Sequence, residues 1–536
     1  MGSVIVLADT LLAFLALALL YAHTRTRTRT RKQRGAILPP GPRRWPIVGH
    51  LFAMPRAKEW EVYAGWSRTF CSDVVHAEVL GTHVVVVNSA KAARELFERR
   101  SSLYSDRPWM ATEYLGLDWV TGFIPYSPKW RRSRRGLHIH FHPDAAAAYR
   151  PTELEATRHL LRNLLRAPED FVQHLRHMAG EVVLAIAYGI EVKPRHDPHV
   201  ALAESVIKGV IKATSMEGRL LDMIPFLRSM PWWFPGAGFK KTAERFRGVG
   251  AEMVDAPYNA ARAATVRGDA PPSVAAATIA DPDAYAPESA EELPQLPANM
   301  YIAGADTTVS ALQTFFLAMV LHPSAQKRAQ AELDAVLGAA GRLPQFEDED
   351  GLPYVGALVK EVLRWHPVLP LGIVPPGVHR ERERELMVAL LAAIPHRLVS
   401  DDSYEGHFIP AGSIVLGNSW AILHDPATFP DPSAFAPERW LAPELARRFP
   451  DAAFGFGRRI CPGRFMARSS VWIAVASILA VFDIERAEDE FGNEVGVEEE
   501  YSSGLVSYPK AFKCSVKLRS EAASALVTAL GKTSGD

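Results

Sequence analysis

The chain contains little cysteine and carries no net charge, and each of these two properties excludes a class of protein. Among 536 residues there are only three cysteines, Cys71, Cys461 and Cys514. They are too few and too scattered for a disulfide-stabilised fold or a four-ligand zinc site. The 60 basic residues are balanced by 60 acidic residues, so no overall field attracts nucleic acid. A cysteine with a role here would act alone.

The overall composition is that of a globular protein. Hydrophobic residues make up 48% of the chain and charged residues 22%, which argues against a disordered, collagen-like or polytopic membrane protein. At about 150 residues per domain, the length allows three or four domains or one large one.

One long apolar run lies at the N-terminus. Residues 4–22 are apolar apart from Asp9, Thr10 and Tyr21, and as a helix they would span about 28 Å, close to a bilayer's hydrocarbon core. No lysine or arginine precedes the run, whereas six follow it between positions 25 and 34. This order predicts an uncleaved transmembrane signal anchor with a cytoplasmic chain behind it, rather than a cleaved secretory signal. The basic and proline-rich residues 23–49 then form either a linker or a rigid hinge.

Beyond the hinge the chain is mostly helical in periodicity. Valine-rich alternation over residues 74–87 predicts a β-hairpin, and strand signals return around residues 409–415 and near the C-terminus. Residues 267–291 are rich in Ala, Pro and Asp and predict a surface loop. Helices are predicted over residues 90–99, 151–165, 171–188, 199–214, 239–267, 293–321, 324–337, 354–365 and 463–481.

The most informative stretch, residues 454–464, reads Phe-Gly-Phe-Gly-Arg-Arg-Ile-Cys-Pro-Gly-Arg and precedes an apolar helix. Free N–H groups and the positive end of the helix dipole stabilise a thiolate at such a position, and Arg459 adds positive charge. Cys461 is therefore a candidate soft metal ligand. Gly457 and Gly463 would let the backbone turn sharply and approach a flat cofactor.

This segment resembles the haem-binding loop of the cytochrome P450 monooxygenases, which reads F-x-x-G-x-R-x-C-x-G. Phe454, Gly457, Arg459, Cys461 and Gly463 match its fixed positions. The resemblance implies that Cys461 is the axial thiolate on the iron of haem b and that Arg459 pairs with a haem propionate. A thiolate ligand pushes electron density onto iron and favours O–O cleavage.

Two further segments resemble the family's structural ion-pair network. Residues 361–364 read Glu-Val-Leu-Arg, as in E-x-x-R, and place a carboxylate and a guanidinium on one helix face. Residues 437–440, Pro-Glu-Arg-Trp, resemble the segment whose arginine completes the network. The resemblance thus gives Glu361, Arg364 and Arg439 a structural role.

Other segments resemble the family's cofactor and oxygen sites. Trp130 and Arg134 fit W-x-x-x-R, in which both side chains reach a haem propionate, and Arg397 resembles another propionate-binding arginine. Residues 303–308, Ala-Gly-Ala-Asp-Thr-Thr, interrupt an apolar helix with poor helix formers, so we expect the helix to distort there. In the family this is the distal helix, whose acid and alcohol relay protons, and Asp306 and Thr307 take those places.

The resemblance implies one mainly α domain with a small β-rich lobe over residues 50–520, followed by a C-terminal tail, 521–536. The implied reaction inserts one atom of O2 into a hydrophobic organic substrate at the endoplasmic reticulum membrane. NADPH would supply the electrons through a flavoprotein reductase. A closer resemblance to fungal microsomal enzymes of secondary metabolism rests on residues 418–426. A haem-binding protein without oxygenase activity is the alternative, and the intact Asp306–Thr307 pair favours the enzyme.

A basic surface around the cysteine is the candidate docking face for that reductase, although each arginine could equally belong to a solvated face. Its members are Arg131, Arg132, Arg135, Arg447, Arg448, Arg458, Arg464 and Arg468.

One stretch departs from the family pattern. Removing residues 373–393, or equally 374–394, restores a family-like Gly-Ile-Pro-His-Arg. The 21 residues are charged in their first half and apolar in their second. We interpret them as a retained intron or gene-model error, with a genuine surface insertion as the alternative.

Overall fold

The β-rich lobe is built on the valine hairpin that the alternation predicts. Strands β1 (Val74–Val79) and β2 (Thr82–Val87) pair antiparallel. Leu80 and Gly81 form the turn, with φ angles of 48° and 80°. Both faces of the hairpin are covered, which explains a run of consecutive buried residues in place of alternating burial.

The hairpin belongs to a four-stranded sheet in the order β1-β2-β6-β3. Strand β6 (Ile414–Gly417) runs parallel to β2, and β3 (His396–Arg397) pairs antiparallel with β6. The other strands form two-stranded antiparallel sheets: β4 (Asp402–Tyr404) with β5 (His407–Ile409), and β7 (Phe482–Arg486) with β8 (Cys514–Leu518).

This computed structural model describes residues 37–46, 48–55, 57–193, 197–213, 221, 225–235, 237–338, 341–371, 394–502 and 506–530. The predicted anchor (4–22), most of the predicted hinge and the predicted insertion (373–393) lie outside those residues. The α-helices are α1 (Glu59–Phe70), α2 (Ala90–Ala93), α3 (Ser101–Tyr104), α4 (Pro128–Phe141), α5 (Pro143–Ala147), α6 (Arg150–Arg166), α7 (Phe171–Tyr188), α8 (Pro198–Ala213), α9 (Pro225–Ser229), α10 (Phe239–Arg267), α11 (Val274–Ala280), α12 (Glu292–Leu321), α13 (Pro323–Leu337), α14 (Pro353–Trp365), α15 (Ser419–Leu423), α16 (Pro443–Ala446), α17 (Arg464–Val481) and α18 (Glu521–Ala529).

Helices α12 and α17 form the centre of the helical core. Both are long and apolar enough to cross a membrane, but about two-thirds of each apolar window, 67%, is buried within the fold. Helix α12 lies close against α7, and Gly304 makes this possible because a Cβ there would sit 2.5 Å from a methyl of Val183. One hydrophobic cluster extends from Ala111 to Val527, so the helical part forms a single domain.

Most predicted helices are confirmed to within one or two residues, and the differences have physical reasons. The predicted loop 267–291 contains helix α11, which Ser273 caps and whose Val274 and Ala275 are buried. The predicted tail 521–536 begins with helix α18, whose Ala523 and Val527 pack into the core. The predicted helix 90–99 is α-helical only at its start and continues as a π-helix from Arg94 to Arg99.

Candidate active site

The cysteine of the motif lies just before helix α17, in the wall of a cavity of about 600 Å³. The N–H of Cys461 donates to the carbonyl oxygen of Phe454 at 2.8 Å and closes the loop. Gly457 has a φ of 54°, and a Cβ there would lie 1.9 Å from the main-chain oxygen of Phe97. Glycine is therefore required at this position, both for the sharp turn that the sequence predicts and for packing against the π-helix.

The sequence predicts that the helix N-terminus and Arg459 stabilise the thiolate of Cys461, but other groups surround the sulfur in the structure. Burial raises the pKa of Cys461, and the opposing influences are the N–H of Gly463 and the guanidinium groups of Arg134 and Arg464. Arg464 also donates to the Cys461 carbonyl oxygen at 3.3 Å. Burial thus outweighs the helix N-terminus, and a cation at the sulfur would be needed to favour the thiolate.

Arg459, predicted to supply that charge, is held instead by the protein backbone. Its guanidinium donates to the carbonyl oxygens of Ser105, Thr121 and Ile124 at 2.8, 3.1 and 3.0 Å. The group lies over the Trp130 ring, 4.5 Å from its centroid. Burial lowers the pKa of Arg459 to about 10.

Trp130 and Arg134 lie one turn apart on helix α4, and both line the cavity. Burial lowers the pKa of Arg134. A third cavity-lining arginine, Arg107, was missed at the sequence level because it belongs to no periodic element. It is 4% exposed and donates to the carbonyl oxygens of Gly122 and Ile394 at 2.9 and 2.7 Å.

Arg397 does not reach the cavity, so the prediction of a propionate-binding role is not supported by the geometry. Its side chain is half exposed and forms an ion pair with Asp106 at 3.5 Å. The preceding residue, His396, is buried, lines the cavity and donates from Nδ1 to the Tyr104 carbonyl oxygen at 2.6 Å. Side chains alternate along strand β3, so only one of the two neighbours can face inward.

Helix α12 supplies a second wall. Asp306 and Thr307 both line the cavity, and Thr307 Oγ1 donates to the carbonyl oxygen of Ala303 at 2.8 Å. The predicted distortion does not break the helix, which continues from Glu292 to Leu321. The hydroxyl side chain instead makes a local hydrogen bond within the same turn.

The cavity therefore brings together most of the predicted site residues. Those that line it are Trp130, Arg134, Asp306, Thr307, Phe454, Arg459, Cys461 and Gly463. Cys71 is exposed and neither it nor Cys514 lines the cavity.

Comparison with known proteins decides the family. The family model described as Cytochrome P450 matches residues 39–374 and 386–513. The chain belongs to the cytochrome P450 family. It is 40% identical over 504 residues to a cytochrome P450 monooxygenase of Armillaria gallica, covering 92% of this chain and 95% of the relative. It is also 40% identical over 500 residues to a cytochrome P450 monooxygenase of Hericium erinaceus (91% and 90% covered). The tryptamine 4-monooxygenase of Psilocybe cyanescens is 37% identical over 493 residues (90% and 93% covered).

These relatives identify the protein as an oxygenase and confirm the mainly α P450 fold with small sheets. Membership also implies a haem with a cysteine thiolate on its iron, a hydrophobic substrate, O2 and a redox partner. When bound, haem supplies the redox-active iron at which oxygen is reduced.

The chemistry of the cavity fits a haem. Cys461 provides a soft ligand in one wall, and three guanidinium groups surround the same space: that of Arg107, which is buried, and those of Arg134 and Arg459, which are partly buried. Asp106 is the carboxylate that acts on Arg107 and Arg459, and it is already paired with Arg397. Carboxylates of a haem would neutralise the remaining positive charge through charge-assisted hydrogen bonds.

The predicted structural network is present, outside the cavity. Glu361 is fully buried and accepts from Arg364 at 2.8 Å twice, from Arg439 at 3.1 Å, and from Trp440 Nε1 at 2.8 Å. It also accepts from the N–H of Ala436 at 2.9 Å. These hydrogen bonds connect helix α14 of the P450 to residues 436–440, the segment that precedes the cysteine loop.

The family match also bears on the insertion. It is interrupted at residues 375–385, which lie inside the predicted 373–393. The described residues on either side, Leu371 and Ile394, both line the cavity.

Proposed function

We propose that this P450 acts in fungal secondary metabolism and hydroxylates a hydrophobic organic substrate with electrons from NADPH. One oxygen atom of O2 enters a C–H bond of the substrate, and the other leaves as water with the two electrons and two protons. The observation that carries the proposal is the pair Asp306 and Thr307 in the same cavity as Cys461. A haem protein that never reduced O2 would have no use for this pair, so the non-oxygenase alternative is disfavoured.

The apolar part of the cavity wall is consistent with a hydrophobic substrate. It is lined by Val120, Phe123, Val183, Ile207, Val210 and Met300. Apolar walls with a few polar groups are typical of sites that bind small organic molecules. The name of the Psilocybe relative places an aromatic amine among the substrates that relatives accept.

We assign proton delivery to Asp306 and Thr307. Burial raises the pKa of Asp306, while Arg176 lowers it. Arg176 forms an ion pair at 3.9 Å with Glu204, and each of these side chains is about one-third exposed (35% and 36%). Both members of this partly exposed pair act electrostatically on Asp306, and we infer that protons reach Asp306 from their side and pass to the adjacent Thr307. Thr307 Oγ1 donates back to the helix, which leaves its lone pairs free to accept a hydrogen bond from a group in the cavity.

We also propose that a flavoprotein reductase docks on the cysteine side. Arg131 and Arg458 both lie against the Tyr126 ring, and Arg468 lies over Phe449, next to exposed Arg447 and Arg448. Two arginines are less suited than the sequence suggests: Arg132 is neutralised by Glu288 and Glu292, and Arg468 is paired with Glu349 at 3.3 Å. The remaining arginines would attract an acidic partner.

Membrane attachment at the endoplasmic reticulum through residues 4–22 is part of the same proposal. Trp45, within the predicted hinge, and Phe52, just after it, make an edge-to-face contact with their centroids 6.2 Å apart. Both are more than half exposed, 55% and 56%. Trp45 is amphipathic, with an apolar ring and a polar N–H, and such side chains suit a membrane–water interface.

Thr307→Ala tests the assignment. General acid–base steps contribute about 10² to 10⁴ in rate, so the variant should still consume NADPH but release much of the oxygen as hydrogen peroxide. Thr308→Ala is the matched control, because its side chain points about 100° further around the helix. The measurement is the ratio of product to NADPH consumed. Equal coupling in Thr307→Ala and the parent would contradict the relay.

A further inference from the structure

The C-terminal segment brings one more polar side chain to Asp306. Tyr508 lines the cavity, and its hydroxyl donates to the main-chain oxygen of Asp306 at 3.4 Å. Burial raises the pKa of Asp306, and the nearby Tyr508 hydroxyl acts in the opposite direction. Tyr508 is 202 residues away in sequence, so no local motif joins the two.

The neighbouring Ser507 fixes where Tyr508 lies. Ser507 is fully buried, and its carbonyl oxygen accepts from Ser310 Oγ at 2.5 Å. Its N–H donates to the Val368 carbonyl oxygen at 2.9 Å, and its hydroxyl lies 2.8 Å from His366 Nε2. Ser310 is one turn beyond Asp306 on helix α12. The segment is thus registered against the same helix that carries the acid.

Burial keeps His366 neutral, since it holds the pKa of this histidine well below its usual range. The His366 ring stacks on Tyr501 with a centroid distance of 3.3 Å. His366, which contacts the Ser507 hydroxyl, therefore does not titrate near neutral pH. Any pH response of Asp306 then comes from the groups that face Asp306 itself. Those groups are Tyr508, Arg176 and Glu204.

We propose that Tyr508 is a positioning residue for proton delivery, holding Asp306 in one place beside Thr307 through the hydroxyl that reaches it from the C-terminal segment. The inference rests on the proposed relay through Asp306 and Thr307. It adds a contact from a different part of the chain, which acts through the acid and touches no reacting atom.

Tyr508→Phe tests this role, because it removes the hydroxyl and keeps the ring. The hydrogen peroxide fraction should rise several-fold, and the pH at which coupling changes should move to higher values, because Asp306 loses a donor. Tyr501→Phe is the matched control in the same segment, since it removes a buried hydroxyl that does not line the cavity.

Thermal unfolding gives a readout independent of activity. Without the hydroxyl the ionised carboxylate is less stable, so the melting temperature of Tyr508→Phe should fall further below the parent as pH rises. In an Asp306→Asn background this pH dependence should vanish. A pH-independent loss in both backgrounds, or an unmoved coupling profile, would overturn the role of Tyr508.

The two proposals fail separately. If Thr307→Ala and Asp306→Asn uncouple but Tyr508→Phe matches Tyr501→Phe, the relay stands and the positioning role is wrong. If neither relay variant uncouples, the proposed relay itself is wrong, and the role of Tyr508 in it falls as well, whatever the unfolding data show.

Discussion

Glu361→Gln tests the most buried charged network of this P450. The change removes one formal charge and replaces one acceptor oxygen by an amide donor. Arg364 has 0% exposed side chain and Arg439 has 8%. The variant therefore leaves one or both guanidinium groups buried without an ionised partner, and the new amide group faces donors that cannot accept from it.

The magnitude follows from that burial. Removing one partner of a buried ion pair costs about 3–5 kcal/mol, against a total stability of about 5–15 kcal/mol for a folded protein. Five donors converge on the carboxylate of Glu361, which favours the upper end of this range. Most of the variant should then fail to hold haem at temperatures that the parent tolerates.

The assay is retention of the haem absorbance during heating, with far-ultraviolet circular dichroism to follow the fold. Glu485→Gln is the matched control, since Glu485 pairs with Lys517 at 2.9 Å on the surface, where both side chains are about half exposed (50% and 55%). An exposed pair contributes at most about 1 kcal/mol. If Glu361→Gln lost haem no faster than Glu485→Gln, the structural role of the network would be refuted.

Three further outcomes are expected. Deleting residues 1–34 should move the protein from the membrane to the soluble fraction with its haem; a truncated protein that stayed fully membrane-bound would show that another surface anchors it. Burial raises the pKa of Glu153 to about 7, so its contribution to stability is complete below about pH 4.5 and is lost as pH rises through 7. Glu153→Gln should therefore gain melting temperature relative to the parent between pH 6 and 8, and an unchanged difference would contradict this. Transcript sequencing should show a messenger RNA without the codons for residues 373–393. A messenger RNA that encodes all of these residues would contradict the intron hypothesis.

The sequence was most informative where chemistry is local. The cysteine loop, the α12 pair and the Glu361–Arg364 turn each lie within a few residues, and the structure places each in the expected element. Helix bounds follow equally well from periodicity, as at Phe171–Tyr188 and Phe239–Arg267.

Contacts between distant segments could not be predicted. Arg459 binds three carbonyl groups more than 300 residues away, and nothing in its own motif specifies them. Whether His396 or Arg397 lines the cavity depends on which side of the two-residue strand β3 faces it, and the sequence does not specify this. Arg107 and Tyr508 reach the site only because the fold brings them there.

The most direct test of the account is the carbon monoxide difference spectrum of Cys461→Ala. If Cys461 is the axial thiolate, the reduced variant should lose the red-shifted Soret band of a thiolate-ligated haem and all oxygenase activity. Cys71→Ala and Cys514→Ala should keep both. A Cys461→Ala protein that retained the red-shifted band would contradict the assignment on which the proposed chemistry depends.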